Sequence, residues 1–195
     1  MTELPISAST LNWTCDDAEQ ELVARARHDA GAFAEIYRRH AHAIGGYVYR
    51  RVGDVHTTDD LVADVFLAAM RALPRYRNRG VPLRAWLYRI ATNTVNRWAG
   101  RNKWRRLVRL EGNLADSGLD AAADADDPSL RADVNAARQA LWSLSMKHQS
   151  VLALHYLEGL PVEEVAVVLG CRVGTVKSRL SRAREALRTK LQERR

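Results

Sequence analysis

From Arg71 to Leu110 the chain carries twelve Arg or Lys residues and no Asp or Glu. Five aromatic residues, Tyr76, Trp86, Tyr88, Trp98 and Trp104, are interleaved with them. Cations among aromatic planes suit opened, single-stranded nucleic acid: the charges track phosphates, and each base–aromatic stack contributes on the order of 1–3 kcal/mol. Projected at about 100° per residue, Leu87, Ala91, Thr94, Val95 and Trp98 share one side of a helix, which packs. Trp86, Arg89, Asn93, Asn96 and Arg97 share the other. That second side offers a stacking plane, two amides for base edges and two guanidiniums.

A second basic surface lies far away in sequence, on Val162–Leu180 and beyond. A helix-turn-helix needs a small residue where its helices cross, a glycine in the turn and a β-branched residue facing back. Ala166, Gly170 and Val176 stand at those places, four and then six residues apart. Val165, Val168, Leu169 and Leu180 fill the inner face. Thr175, Lys177, Ser178, Ser181, Arg182 and Arg184 are left for the outer face or its margins, the side a recognition helix shows to base edges and phosphates. The two surfaces together describe a protein that grips one DNA at two places, one duplex and one opened.

Catalytic chemistry finds little support. Asp59/Asp60 and Asp126/Asp127 are paired acids, but adjacent helical positions point about 100° apart. No His or Glu stands at a useful metal-ligand spacing from them. The first pair reads as helix-start charge, the second as linker. His40 and His42, two apart on a helix, make a poor ligand pair and read as surface histidines. Cys15 and Cys171 have no metal-ligand or disulfide framework, and Cys171 reads as a small packing residue. No metal and no cofactor is expected.

The elements that must position these groups are all helical. Proline and glycine are sparse, at 5 and 11 of 195 residues, and alternating strand patterns are missing. Helices are predicted over Asp17–His28 and Ala32–Val52, the second with a core stripe of Phe33, Ile36, Tyr37, Ile44, Tyr47 and Val48 and a stop at Gly53. The next opens at Thr57, with Asp60 as a capping-box variant, packs through Leu61, Val62, Val65, Phe66 and Leu73, and stops at Pro74. A basic loop spans Arg75–Pro82, and a helix follows over Leu83–Trp104. Gly112–Pro128 is rich in Asp, Ala and Gly and reads as a solvated tether. Beyond it four helices are predicted: Leu130–Leu144, Lys147–Leu157, Val162–Leu169 and Val173–Arg195.

The net charge of +7 favours a polyanionic partner. The leader up to Glu21 and the stretch Glu111–Asp133 are acidic, which concentrates the positive charge elsewhere. No apolar run approaches the roughly 18 residues of a membrane span. The first ten residues lack the basic and hydrophobic regions of a signal peptide. The expected location is therefore the cytoplasm.

Three segments in order, Thr58–Leu67, Arg84–Asn93 and Gly174–Leu187, resemble the bacterial sigma-70 family of RNA polymerase sigma factors, in its small extracytoplasmic-function (ECF) class. The resemblance implies an all-α chain of two helical domains on a flexible acidic linker: a leader over 1–16, region 2 over 17–108, linker over 109–129 and region 4 over 130–195. It implies a non-catalytic, dissociable polymerase subunit. Region 2 binds the clamp coiled-coil of the largest subunit and opens DNA near the start site. Region 4 reads the upstream element and packs on the flap of the other large subunit. By the same carry-over, Asp59, Asp60, Asp64 and Phe66 face polymerase. Arg75, Arg77, Arg79, Trp86, Arg89, Asn93, Asn96 and Arg97 hold the melted −10 element. Lys177, Ser178, Ser181 and Arg182 read the −35 element, with Thr175, Arg179 and Arg184 on phosphates. Members are often held by an anti-sigma partner. Three positions depart from the family pattern: Ala63 stands where Gln is usual, Arg97 where Asp is common, and Ser181 where a bulkier residue is frequent. A conventional helix-turn-helix regulator with a sensing domain is the competing reading, though the first domain shows no strand pattern and is too basic for a sensor.

Overall fold

A computed structural model describes residues 17–77, 81–101 and 128–193, and for 128–133 the backbone alone. The predicted leader, most of the linker, Trp104 and Arg79 lie outside the described residues. Eight α-helices and no strand occur among the described residues. They are α1 (Asp17–Ala26), α2 (Ala30–Val52), α3 (Val55–Ala72), α4 (Leu83–Arg101), α5 (Pro128–Ser143), α6 (Met146–Leu152), α7 (Val162–Leu169) and α8 (Val173–Gln192). A 3₁₀ turn, Leu73–Arg75, ends α3, and a π turn, Ala153–Leu157, prolongs α6.

Local chemistry sets the boundaries. Asp29 caps α2, its carboxylate accepting from the Gly31 and Ala32 amides. At the other end Gly53 takes φ 73°, and its N–H donates to Tyr49 O at 2.8 Å. This is the left-handed stop that glycine accommodates without a Cβ clash. Helix α3 begins two residues before the predicted Thr57. The cap is Asp54, whose Oδ1 accepts from the Thr57 amide at 2.8 Å and from its hydroxyl at 2.5 Å. Asp60 is exposed and takes no part. A short carboxylate at the N-cap outcompetes a box built with Asp, whose side chain is one methylene shorter than Glu.

Helices α1 to α4 form the first bundle. Ile36, Ile44, Tyr47 and Val48 of α2 are buried with Leu61, Val65, Phe66 and Ala69 of α3 and Leu87, Ala91 and Val95 of α4. Tyr37, assigned to the core by its spacing, is 45% exposed; its ring stands edge-on to Phe66, centroids 4.7 Å apart. Inside, Tyr47 Oη lies 2.8 Å from Thr92 Oγ1 and accepts from Arg51 at 3.0 Å. The second bundle, α5 to α8, buries Val151, Leu154, Val165, Ala166, Val176, Leu180 and Ala183.

The two bundles share one continuous hydrophobic core, with α4 packed on α7. Trp142 of α5 donates through Nε1 to Arg50 O at 2.9 Å and covers Gly53. A tether between separate domains was the expectation; among the described residues the domains are in contact.

Candidate nucleic-acid and polymerase surfaces

On α8 the buried side is Val176, Leu180 and Ala183. Lys177, Ser178, Ser181, Arg182 and Arg184 are exposed, while Thr175 and Arg179 are half-buried. Arg179 reaches back to Cys171 Sγ at 3.7 Å. The turn that aims this helix is built as its sequence requires. Gly170 has φ 61°, and the N–H of Cys171 donates to Ala166 O at 3.0 Å. Ala166, 1% exposed, sits at the crossing, and Val176 is fully buried behind it. The outcome is a cationic, hydroxyl-bearing ridge on a rigid hairpin, able to contact phosphates and base edges.

The α4 surface is less open than its pattern implies. Asn93 and Arg97 are exposed, as are Arg75 and Arg77 before the helix. Trp86 is half-buried against the core, with its ring 4.8 Å from Tyr76 at 47°. Tyr76 is not a free stacking plane: it is buried, and its hydroxyl donates to Val81 O at 2.7 Å. Arg27 also donates to Tyr76 O at 2.7 Å. The tyrosine therefore anchors both ends of the basic loop. Tyr88 is buried too, its phenol donating to Glu158 Oε2 at 2.7 Å. Burial first, then that bond and the carboxylate's charge, push its pKa far up. Asn96 is half-buried, and its Oδ1 accepts from Arg51 at 3.1 Å. Arg89 comes within 3.9 Å of where a side chain on Gly170 would start.

On α3, Asp59, Asp60 and Asp64 are exposed and Phe66 is buried. The phenylalanine thus supports this face rather than presenting itself. Tyr37 on α2 and Leu67 and Met70 on α3 are each close to half exposed, with the Tyr37 ring edge-on to Phe66. These apolar residues were not singled out from sequence as surface groups. The signal lay in the register: Leu67 follows Asp64 by three residues and Asp60 by seven, on the acidic side of the helix. A second exposed apolar pair, Tyr156 and Leu157, ends the π turn. Exposed clustered hydrophobes of this kind mark protein contacts. No group of three potential metal ligands occurs among the described residues, and no helix there is long and apolar enough to cross a membrane. His42 is exposed as expected, but His40 is half-buried.

Comparison with known proteins finds two family matches. Residues 36–105 match the model for sigma-70 region 2, and residues 135–187 that for sigma-70 region 4. The chain is 35% identical to the RNA polymerase sigma-H factor of Pseudomonas aeruginosa, over 90% of this chain and 95% of that protein. It is likewise 35% identical to the ECF RNA polymerase sigma-E factor of Escherichia coli, over 89% of this chain and 94% of that one. Among solved structures it resembles CnrH in complex with the cytosolic domain of CnrY. That likeness has a TM-score of 0.65 at 28% identity and covers 91% of this chain and 99% of CnrH.

Proposed function

The chain belongs to the sigma-70 family of RNA polymerase sigma factors, in its ECF class, and from that premise we propose how its surfaces share the work of transcription initiation. As a sigma factor it binds core RNA polymerase and promoter DNA. The finer assignment is ours. The first domain, up to about residue 108, docks on the polymerase clamp through Asp59, Asp60 and Asp64, with Tyr37, Leu67 and Met70 as the apolar part of the contact. Arg75, Arg77, Arg79, Trp86, Arg89, Asn93, Asn96 and Arg97 hold the opened −10 element. The second domain, from about residue 130, reads the −35 duplex through Lys177, Ser178, Ser181 and Arg182. Thr175, Arg179 and Arg184 serve its phosphates, and Tyr156 and Leu157 face the flap. In this reading the protein itself performs no catalysis and acts in the cytoplasm; structural relatives are held by partner proteins, as CnrH is by the cytosolic domain of CnrY.

The observation that carries this reading is the pairing of two separate cationic surfaces, α4 and α8, with two separate apolar exposed patches. A regulator that binds duplex DNA alone needs one DNA surface; this chain carries two cationic surfaces suited to nucleic acid, and its relatives match across both domains. The test is run-off transcription by purified core polymerase with and without the chain. The reading requires promoter-specific transcripts that depend on the added chain. It also requires that Asp60→Arg with Asp64→Arg abolish them while leaving duplex binding by α8 intact.

A further inference from the structure

Helix α4 starts without a cap of its own. Pro82, whose carbonyl takes the Trp86 amide at 3.2 Å, stands at the cap position with no side-chain oxygen to offer. The first turn of α4 carries no acid. A helix that opens in this way leaves amide hydrogens unpaired and its positive end unbalanced. The missing oxygen comes from another helix. Glu19 of α1, half-buried, accepts from the Leu83 amide through Oε2 at 3.4 Å, a long bond. Its charge also reaches the next residue: the Arg84 pKa is raised chiefly by a hydrogen bond to Glu164, and Glu19 adds to the rise.

The other end of the basic segment 75–82 is held from the same helix. Tyr76 ends the 3₁₀ turn where the backbone becomes extended, at φ −64° and ψ 125°. Arg27, one residue past the end of α1, donates to the Tyr76 carbonyl at 2.7 Å. Its charged donor and shorter distance make this the stronger of the two ties. Val23, between Glu19 and Arg27 in the chain, is 5% exposed and fixes this side of α1 in the core. Glu19, Val23, Arg27 and Tyr76 line one cleft. From Glu19 to Arg27 the chain advances roughly 12 Å at 1.5 Å per residue, so α1 lies as a splint across both ends of the segment.

We propose that Arg27 and Glu19 are positioning residues for selection of the −10 element, with α1 fixing where Tyr76 and Leu83 stand and thereby aiming the DNA-facing side chains beside them; this rests on the reading of the segment and α4 as the −10 surface. At the entering end those side chains are Arg75 and Arg77, exposed on either side of Tyr76. At the leaving end it is Trp86, whose ring lies 4.8 Å from that of Tyr76. The Tyr76 hydroxyl ties the two ends together through Val81 O. Neither Arg27 nor Glu19 needs to touch DNA. Discrimination among bases requires side chains held to about 0.5 Å, whereas attraction to phosphate tolerates looser placement. Loss of the splint therefore falls on −10 preference. Arg27 is exposed and cationic, so a direct phosphate contact is the competing role; that would weaken all sequences alike and lower the salt slope by about one.

The test uses the full-length chain with core polymerase and two promoter libraries, one randomised in the −10 element and one in the −35 element. Arg27→Met, Arg27→Lys, Glu19→Ala and Glu19→Gln are compared with wild type, each checked for native helicity and denaturation midpoint. Arg27→Met and Glu19→Ala should narrow the spread between favoured and disfavoured −10 bases roughly three- to tenfold, the reach of one hydrogen bond, with −35 preference kept. Arg27→Lys retains a cationic donor and Glu19→Gln an acceptor, so both should recover most of the spread. The salt slope of promoter binding should stay as in wild type. In the free protein, amide exchange over 73–77 and 81–86 should quicken for Arg27→Met and Glu19→Ala, and not in α8. Unchanged −10 preference in folded variants overturns the proposal. So does a uniform loss with a lower salt slope, which makes Arg27 a phosphate contact, or an equal loss of −10 and −35 preference, which reduces both residues to general stability. A wild type that fails to stimulate polymerase contradicts the sigma-factor reading instead, and the exchange data alone then decide whether α1 holds the segment.

Discussion

The indole of Trp142 occupies the space that a side chain at Gly53 would need: a Cβ there would lie 2.3 Å from Cη2. Gly53 also holds φ 73°. The end of α2 is therefore bare for two independent reasons, one local and one set by the other domain. Gly53→Ala pays both a left-handed backbone and an overpacked contact, roughly 2–4 kcal/mol together. Chemical denaturation of Gly53→Ala, Trp142→Ala and the double variant separates them. The double variant should be clearly less destabilised than the sum of the singles; strict additivity would show that the indole does not lie there.

Tyr47 is fully buried, and its hydroxyl joins Thr92 to Arg51. Tyr47→Phe keeps the shape and leaves a buried guanidinium with one acceptor fewer. A loss of about 1–3 kcal/mol is expected. An unchanged denaturation midpoint would mean that water or another acceptor already serves Arg51.

His40 is half-buried on α2, and its pKa is held below the ordinary 6.5, chiefly by burial and secondarily by the charge of Arg39. The unfolded chain takes up its proton near 6.5, the folded chain only at lower pH. Between those values the unfolded state binds more protons, so stability rises with pH. The contribution is complete above 6.5 and is lost as pH falls through the folded value. Stability measured from about pH 7.5 down to about pH 5.5 should fall more steeply for wild type than for His40→Gln. Parallel curves would remove His40 as the cause.

Trp86 is half-buried against Tyr76, so its substitution tests stacking only if folding is checked beside it. Trp86→Ala is expected to lower open-complex formation, read by permanganate reactivity of the melted strand, while polymerase binding persists. Unchanged melting would assign this tryptophan to packing alone.

Much of this was legible because local chemistry wrote it. Gly170, Ala166 and Val176 fix the helix-turn-helix, and α7 runs over Val162–Leu169 as its pattern predicts. The stop of α2 at Gly53 needed only glycine's tolerance of positive φ. The start of α3 was misread since Asp54 and Thr57 both suit a cap, and the choice depends on which oxygen reaches which amide. Tyr76 looked like a stacking residue for want of any sequence signal that its hydroxyl reaches Val81 O. The domain contact was illegible for a deeper reason. The ion pairs Arg50–Glu158 and Arg84–Glu164 join residues with no shared period, and nothing local distinguishes Glu158 and Glu164 from ordinary surface acids. Their meaning arises only when α7 lies on α4.

The central claim is that α4 and α8 read two parts of one promoter. It is tested most directly by sequencing run-off transcripts made by core polymerase and this chain from a library of bacterial promoter DNA. Wild type, Trp86→Ala and Arg182→Ala are compared. Wild type should select a two-part motif at fixed spacing upstream of the starts. Arg182→Ala should flatten preference at one position of the upstream part only, at about 1–3 kcal/mol, and Trp86→Ala should reduce transcripts without changing that part. A motif with one part, or a uniform loss across all promoters for Arg182→Ala, would contradict the assignment of base reading to α8.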